Sequence, residues 1–134
     1  MFMCCARYAF HNGSLFPELR PHGTEDPAVY LDAKGRFHAL FHNMQPDGNS
    51  PATNLGHAFS ENGLNWTYSG VAGNSSGTYA DGSGFSFSRR ERPHAVFAAD
   101  GTTLVAVTNG VAYKDASTAA SDAVFTFLQP VHTA

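Results

Sequence analysis

A chain of 134 residues with 43% hydrophobic content is long enough to bury a core and too apolar to be a wholly disordered tail. Its net charge of −3, with only eight Lys plus Arg, supplies no basic face for the phosphates of nucleic acid. Thirteen glycines and seven prolines, set among short runs rich in Val, Phe, Tyr and Thr, favour many short strands over long helices.

Residues 1–22 read as an irregular or remnant segment. The opening Met1–Ala6 is apolar, but no basic residue precedes it and Arg7 ends it far short of a membrane span, so neither a signal peptide nor an anchor is expected. Cys4 and Cys5 are adjacent, and neighbouring Cα atoms about 3.8 Å apart are too close for an ordinary disulfide. Asn-x-Ser/Thr triplets at Asn12, Asn65 and Asn74 fit an extracellular or secretory-pathway protein.

Residues 23–88 form a first unit. Glu25–Leu31 and Arg36–Asn43 are apolar runs separated by Ala33-Lys34-Gly35, a hairpin whose glycine supplies positive φ. The runs are apolar on consecutive positions, so both faces of the sheet should be covered. Gly56–Ser60 and Asn65–Val71, joined at Glu61-Asn62-Gly63, supply strands three and four. The glycine-rich stretch from Gly70 to Gly84 lacks the Lys and following helix of a phosphate loop and reads as a surface loop.

Residues 89–134 form a second unit because Glu91–Asn109 repeats Glu25–Asn43 without a gap. Glu25 matches Glu91, Pro27 matches Pro93, Ala33 matches Ala99, Gly35 matches Gly101 and Asn43 matches Asn109, each 66 positions apart (25 to 91 for the first pair). Phe125–Leu128 is a later strand of this copy. A period of this length holding four strands suits a β-propeller blade with long loops, and a two-sheet sandwich is the rival. The expected fold is all-β: two four-stranded antiparallel blades of a five-bladed propeller whose N-terminal blades are missing. Edges opened by missing blades would invite self-association.

The acids Glu25, Asp26 and Glu91 stand at the starts of first strands, which line the central channel of a propeller. Paired carboxylates there are what glycoside hydrolysis needs; solvated strand ends are the ordinary alternative. His38 and His42 share a strand face, but no acid is obviously paired with them and no metal is expected. No cofactor is expected either, and the chain shows no membrane partner.

The segment from Thr24 through Asp26-Pro27 to His42 resembles the Asp-Pro-led blade of five-bladed propeller glycosidases, the arabinanase-like glycoside hydrolase family 43 and its invertase and levansucrase relatives. Arg90-Glu91-Arg92-Pro93-His94 resembles their later motif, in which a Glu precedes a Pro-His pair. Ser60-Glu61-Asn62-Gly63-Leu64-Asn65-Trp66 resembles the Ser-x-Asp-Gly-x-x-Trp turn of many sugar-active propellers. Together the three cover about residues 23 to 110.

The resemblance implies that Asp26 stabilises an oxocarbenium-like transition state and that Glu91 is the general acid. Glu25 is the alternative to Asp26, because the repeat pairs Glu91 with Glu25. Glu91 would have to hold its proton near neutral pH; strand alternation places Arg90 and Arg92 on the opposite face and leaves Arg89 as the neighbour that could oppose it. His94, Arg90, His42 and Trp66 are candidate sugar contacts, although a hydrogen-bonded strand histidine is an equal alternative and a turn-closing tryptophan is more often a core residue. The third carboxylate of these families has no match upstream, where the only acid is Glu18. The expectation is therefore a fragment of a glycoside hydrolase acting on a furanoside or similar oligo- or polysaccharide, inactive alone. The alternative is a non-catalytic carbohydrate-binding or structural propeller module, or an inactive truncated product.

Overall fold

The structure is a computed structural model that describes residues 24–43, 54–113 and 124–131. The expected irregular segment 1–22, with Cys4, Cys5 and Asn12, lies outside the described residues. Every regular element among the described residues is a strand, and the eight strands form two four-stranded antiparallel sheets. β1 (Thr24–Leu31), β2 (Phe37–Asn43), β3 (Asn54–Ser60) and β4 (Thr67–Gly73) pair in sequence order. So do β5 (Ser76–Thr78), β6 (Gly84–Phe97), β7 (Leu104–Tyr113) and β8 (Phe125–Pro130).

The repeat is written into the backbone of the two hairpins. Gly35 and Gly101 take positive φ, 77° and 73°, and each N–H donates to the residue that opens its turn, Asp32 or Ala98. A residue without Cβ adopts that conformation without steric cost. In β1 the register jumps between Glu25 and Ala28, and in β6 between Glu91 and His94. Asp26-Pro27 and Arg92-Pro93 are thus equivalent β-bulges, with Asp26 at φ 53° and Arg92 at φ 51°.

Three expectations are corrected. The ungapped match fails along β7. The second turn closes from Ala98 to Thr103 where the first closes from Asp32 to Arg36, and a further register shift follows at Val96/Phe97. Arg90 consequently pairs with Val111 while its counterpart Thr24 pairs with Asn43, so Asn109 does not stand where Asn43 does. The sheets also divide at Asn74–Ser75, ahead of the 88/89 boundary, because β6 starts at Gly84 and β5 pairs with its beginning. For the same reason the stretch from Gly70 to Gly84 is not simply a loop: it holds the end of β4 and all of β5.

In the first sheet the inner strands β2 and β3 are buried on both faces, as the consecutive apolar positions of β2 require, while the outer strands β1 and β4 stay largely exposed. On one face Ala39, Phe41 and Ala58 pack with Trp66 and Tyr68. On the other, Leu40 and Leu55 meet Val107 of the second sheet, with Tyr30, Ala95 and Leu104 around them. Gly56 is required by close approach, since a Cβ there would overlap the Phe41 ring. The second sheet carries its own aromatic cluster, in which Phe87 packs against Phe85, Phe127 and Tyr113.

Arg90 ties the sheets together. It is 1% exposed, and its guanidinium donates to Asn109 Oδ1 (3.0 Å), Gln129 Oε1 (2.7 Å) and the carbonyl of Asn74 in the connection between sheets (2.7 Å). Phe127 lies beneath it, 5.5 Å from guanidinium carbon to ring centroid. Burial pushes this guanidinium down to about 10.

Candidate functional site

β1 packs beside β6, and between them lies an open groove of about 490 Å³. Its walls are the two equivalent bulges and the strand residues after them: Asp26 to Tyr30 on one side, Arg92 to Ala95 and Phe97 on the other. A residue before proline is normally extended, and φ near +50° in a non-glycine residue is rarer still. Both bulges therefore carry strain, and both turn a charged residue to the same groove. Tyr30 and Phe97 meet edge-on at 5.4 Å between centroids and give the groove an aromatic end.

The structure brings some of the expected site residues together and separates others. Asp26 and His94 are exposed and line the groove. Glu91 does not line it. Its side chain is 10% exposed, lies against Gly110, and pairs with Arg92, whose Nη1 is 3.3 Å from Glu91 Oε1. The expectation that alternation would carry Arg92 to the opposite face is thus overturned, because the bulge interrupts alternation at that residue. Arg90 is committed to the joint between sheets. Trp66 packs on the Ala39–Phe41–Ala58 cluster and donates through Nε1 to Gly63 O at 3.1 Å.

That last bond closes the turn of Ser60 to Trp66. Ser60 Oγ accepts from Gly63 N–H (2.9 Å), and Asn62 Oδ1 accepts from the N–H groups of Leu64 and Asn65 (2.9 Å each). The motif residues satisfy the turn's own backbone.

Both strand histidines have acidic partners, contrary to the sequence reading. His38 Nε2 lies 3.3 Å from Asp32 Oδ2, and His42 Nδ1 lies 3.2 Å from Glu25 Oε1, its partner across the β1–β2 ladder. Glu25, Asp26 and His42 each present one possible ligand atom, all within 4.8 Å of one another, and the buried His42 Nε2 has no hydrogen-bond partner among the described residues. Two carboxylates and an imidazole could hold a divalent cation of the zinc or manganese type. The sequence missed this set because the bulge, not residue spacing, brings Asp26 beside the Glu25–His42 pair. It also missed Arg92 as a groove residue, although the repeat aligns Arg92 with Asp26.

No protein-family model, curated protein or solved structure matches the chain.

Proposed function

We propose that the two sheets are successive blades of a β-propeller and that the groove between β1 and β6 binds carbohydrate. The observation that carries this reading is the pair of equivalent bulges, which set Asp26, Arg92 and His94 beside the rings of Tyr30 and Phe97. Charged hydrogen-bonding groups next to aromatic faces suit a polyol, whose hydroxyls need partners and whose C–H faces need an apolar surface. The sheet order supports the blade reading, since the first long strand of each sheet borders the shared groove. Leu128, on the outward face of the second sheet, is 55% exposed where a next blade would pack. The furanoside class comes from the motif resemblance.

A panel of arabino- and fructo-oligosaccharides titrated into the chain, read by calorimetry, tests this reading. Asp26→Asn combined with His94→Ala should weaken binding by at least about tenfold, the loss of one or two charge-assisted bonds. Binding that is absent, or indifferent to that double substitution, would sink the proposal.

A second reading, the hydrolase one, is favoured by the place of Asp26 in the groove. It requires Glu91 to leave Arg92 and turn to the sugar, and a third carboxylate supplied by a longer chain. In such a chain, unchanged hydrolysis of aryl furanosides after Glu91→Gln would remove Glu91 as the acid. The extracellular assignment rests on the sequons, of which Asn65 and Asn74 are exposed. A gel shift on deglycosylation after secretion from a eukaryotic host would test it.

A further inference from the structure

Apart from the groove, four side chains of the first sheet form a continuous hydrogen-bonded line. Asp32 Oδ2 is 3.3 Å from His38 Nε2, His38 Nδ1 is 2.9 Å from His57 Nε2, and His57 Nδ1 is 2.5 Å from Ser69 Oγ. They come from the β1–β2 turn, β2, β3 and β4 in turn.

The proton positions along this line follow from its Asp32 end. Asp32 accepts from the N–H groups of Arg36 and Lys34 and from the Arg36 guanidinium, and the Arg36 backbone bond above all holds its carboxyl well below the usual range. An ionised carboxylate can only accept, so His38 donates from Nε2. A neutral His38 then has a lone pair on Nδ1, which accepts the Nε2–H of His57. That leaves the lone pair of His57 Nδ1 facing the Ser69 hydroxyl. The two imidazoles are nearly coplanar, at 21°, with centroids 5.2 Å apart. With nitrogens at 2.9 Å, that separation places the rings edge to edge, the geometry of an N–H···N bond. Tyr30 covers the other side of the relay, stacked on His38 at 5.1 Å. Burial, and then electrostatic coupling to the His38 ring, disfavour protonated His57 and keep it available as a base.

Ser69 reaches this position through a bulge. The β3–β4 register passes from Ala58↔Tyr68 to His57↔Gly70, so Ser69 is the extra residue, and Gly70 opposite His57 has no side chain to cover the imidazole. Ser69 is exposed, so the hydroxyl is open to a reagent from solvent. It also lies 3.1 Å from the His57 carbonyl oxygen, but of its two acceptors only the imidazole can carry the proton away. His57 in turn walls a cavity of about 210 Å³ with Tyr30, Leu40, Leu55, Leu104 and Val107, an apolar space large enough for a short acyl chain.

We propose that Ser69 is an activated nucleophile that takes acyl groups from small apolar carboxylic esters, with His57 as general base and His38 and Asp32 as positioning residues. The Ser69 Oγ–carbonyl bond forms as the hydroxyl proton passes to His57 Nδ1. The ester C–O bond then breaks and the departing alkoxide takes that proton, leaving acyl-Ser69 and an alcohol. Water releases the acid by the reverse proton path, His57 accepting a proton from water and returning it to Ser69.

The test treats the full chain with p-nitrophenyl butyrate, follows the nitrophenolate burst, and maps the acylated residue by peptide mass spectrometry. Expected are butyrylation at Ser69, a rate that rises with pH through the titration of one imidazole, and loss of at least about 100-fold in rate in His57→Gln. Asp32→Asn, which frees the His38 tautomer, should slow labelling by about tenfold or more and change that pH profile. Label on Cys4, Cys5 or Lys34 with Ser69 unmodified in the unaltered chain overturns the proposal whether or not any variant folds. Labelling of Ser69 at the same rate in a His57→Gln chain with unaltered circular dichroism does so too.

Discussion

Arg92 occupies in the second sheet the bulge position that Asp26 occupies in the first, and the two hold almost the same left-handed backbone, φ 51° and 53°. Each is followed by a proline, Pro27 or Pro93, which ordinarily drives the preceding residue to extended conformations. A non-glycine residue kept there costs about 1–3 kcal/mol, and such strain persists where surrounding structure over-determines it. Here each bulge is fixed by ladder pairs on both sides, and what it achieves is to aim a charged side chain into the groove.

Relieving that strain should separate stability from binding. Asp26→Gly is expected to raise the unfolding free energy by up to about 1 kcal/mol, the left-handed penalty less the added entropy of a glycine, and Arg92→Gly by less, because it also removes the ion-pair partner of the nearly buried Glu91. Both should weaken any sugar that the groove binds. Urea melts beside calorimetry check the pair, and a loss of stability in both variants would show that the side chains, not the backbone, hold the bulges.

The substitution Arg90→Met should cost about 2–4 kcal/mol. It strands the buried Asn109 Oδ1, at a cost of about 1–3 kcal/mol, and removes the bonds to Gln129 Oε1 and the Asn74 carbonyl, which are only part-buried and lose less. Arg90→Lys should recover only part of this, because an ammonium cannot match a planar fork aimed at three fixed oxygens. Equal denaturation midpoints for Arg90 and Arg90→Lys would refute the geometric argument.

A Cβ at Gly56 would enter the space of the Phe41 ring, which crosses β3 there. Phe41 is 2% exposed and sits in the Ala39–Ala58 cluster, so the ring cannot move away without disturbing the core. Gly56→Ala should therefore lose about 1–3 kcal/mol, the usual penalty of overpacking. Adding Phe41→Leu should return part of that loss; strictly additive losses in a double-mutant cycle would contradict the contact.

These features divide sharply by how far the sequence reveals them. The hairpins were legible because Glu-x-Pro and Ala-x-Gly fix backbone conformation locally, and Gly35 and Gly101 show the same positive φ in both copies. The slip of β7 was not. A shift of two residues returns every side chain to the same face, so the apolar pattern around Val107 and Val111 reads alike in either register. For the candidate site, Asp26 and His94 could be read from their motifs. Arg92 beside Glu91, His42 beside Glu25, and Ser69 beside His57 could not, because each depends on a bulge or cross-strand neighbour that residue spacing does not encode.

Acid should loosen the turns before it reaches the core. Asp32, Asp81 and Asp100 each cap a turn: Asp32 is lowered chiefly by the Arg36 N–H, Asp81 by the Ser83 hydroxyl, and Asp100, down to about 2, by the Thr103 hydroxyl. The unfolded chain returns all three to their ordinary value of 3.8. Between the folded and unfolded values the unfolded state binds more protons, so the contribution of these three carboxylates is complete well above 3.8 and is lost as pH drops through the folded values. Urea midpoints should therefore begin to fall below about pH 6.5, where the unfolded chain protonates His57 more readily than the fold does, and decline further from about pH 5 toward about pH 2 as the three carboxylates are protonated. Asp100→Asn keeps an acceptor in the turn but cannot titrate, and should flatten part of that slope while lowering the plateau. A slope unchanged by both Asp100→Asn and Asp32→Asn would place the acid sensitivity elsewhere in the chain.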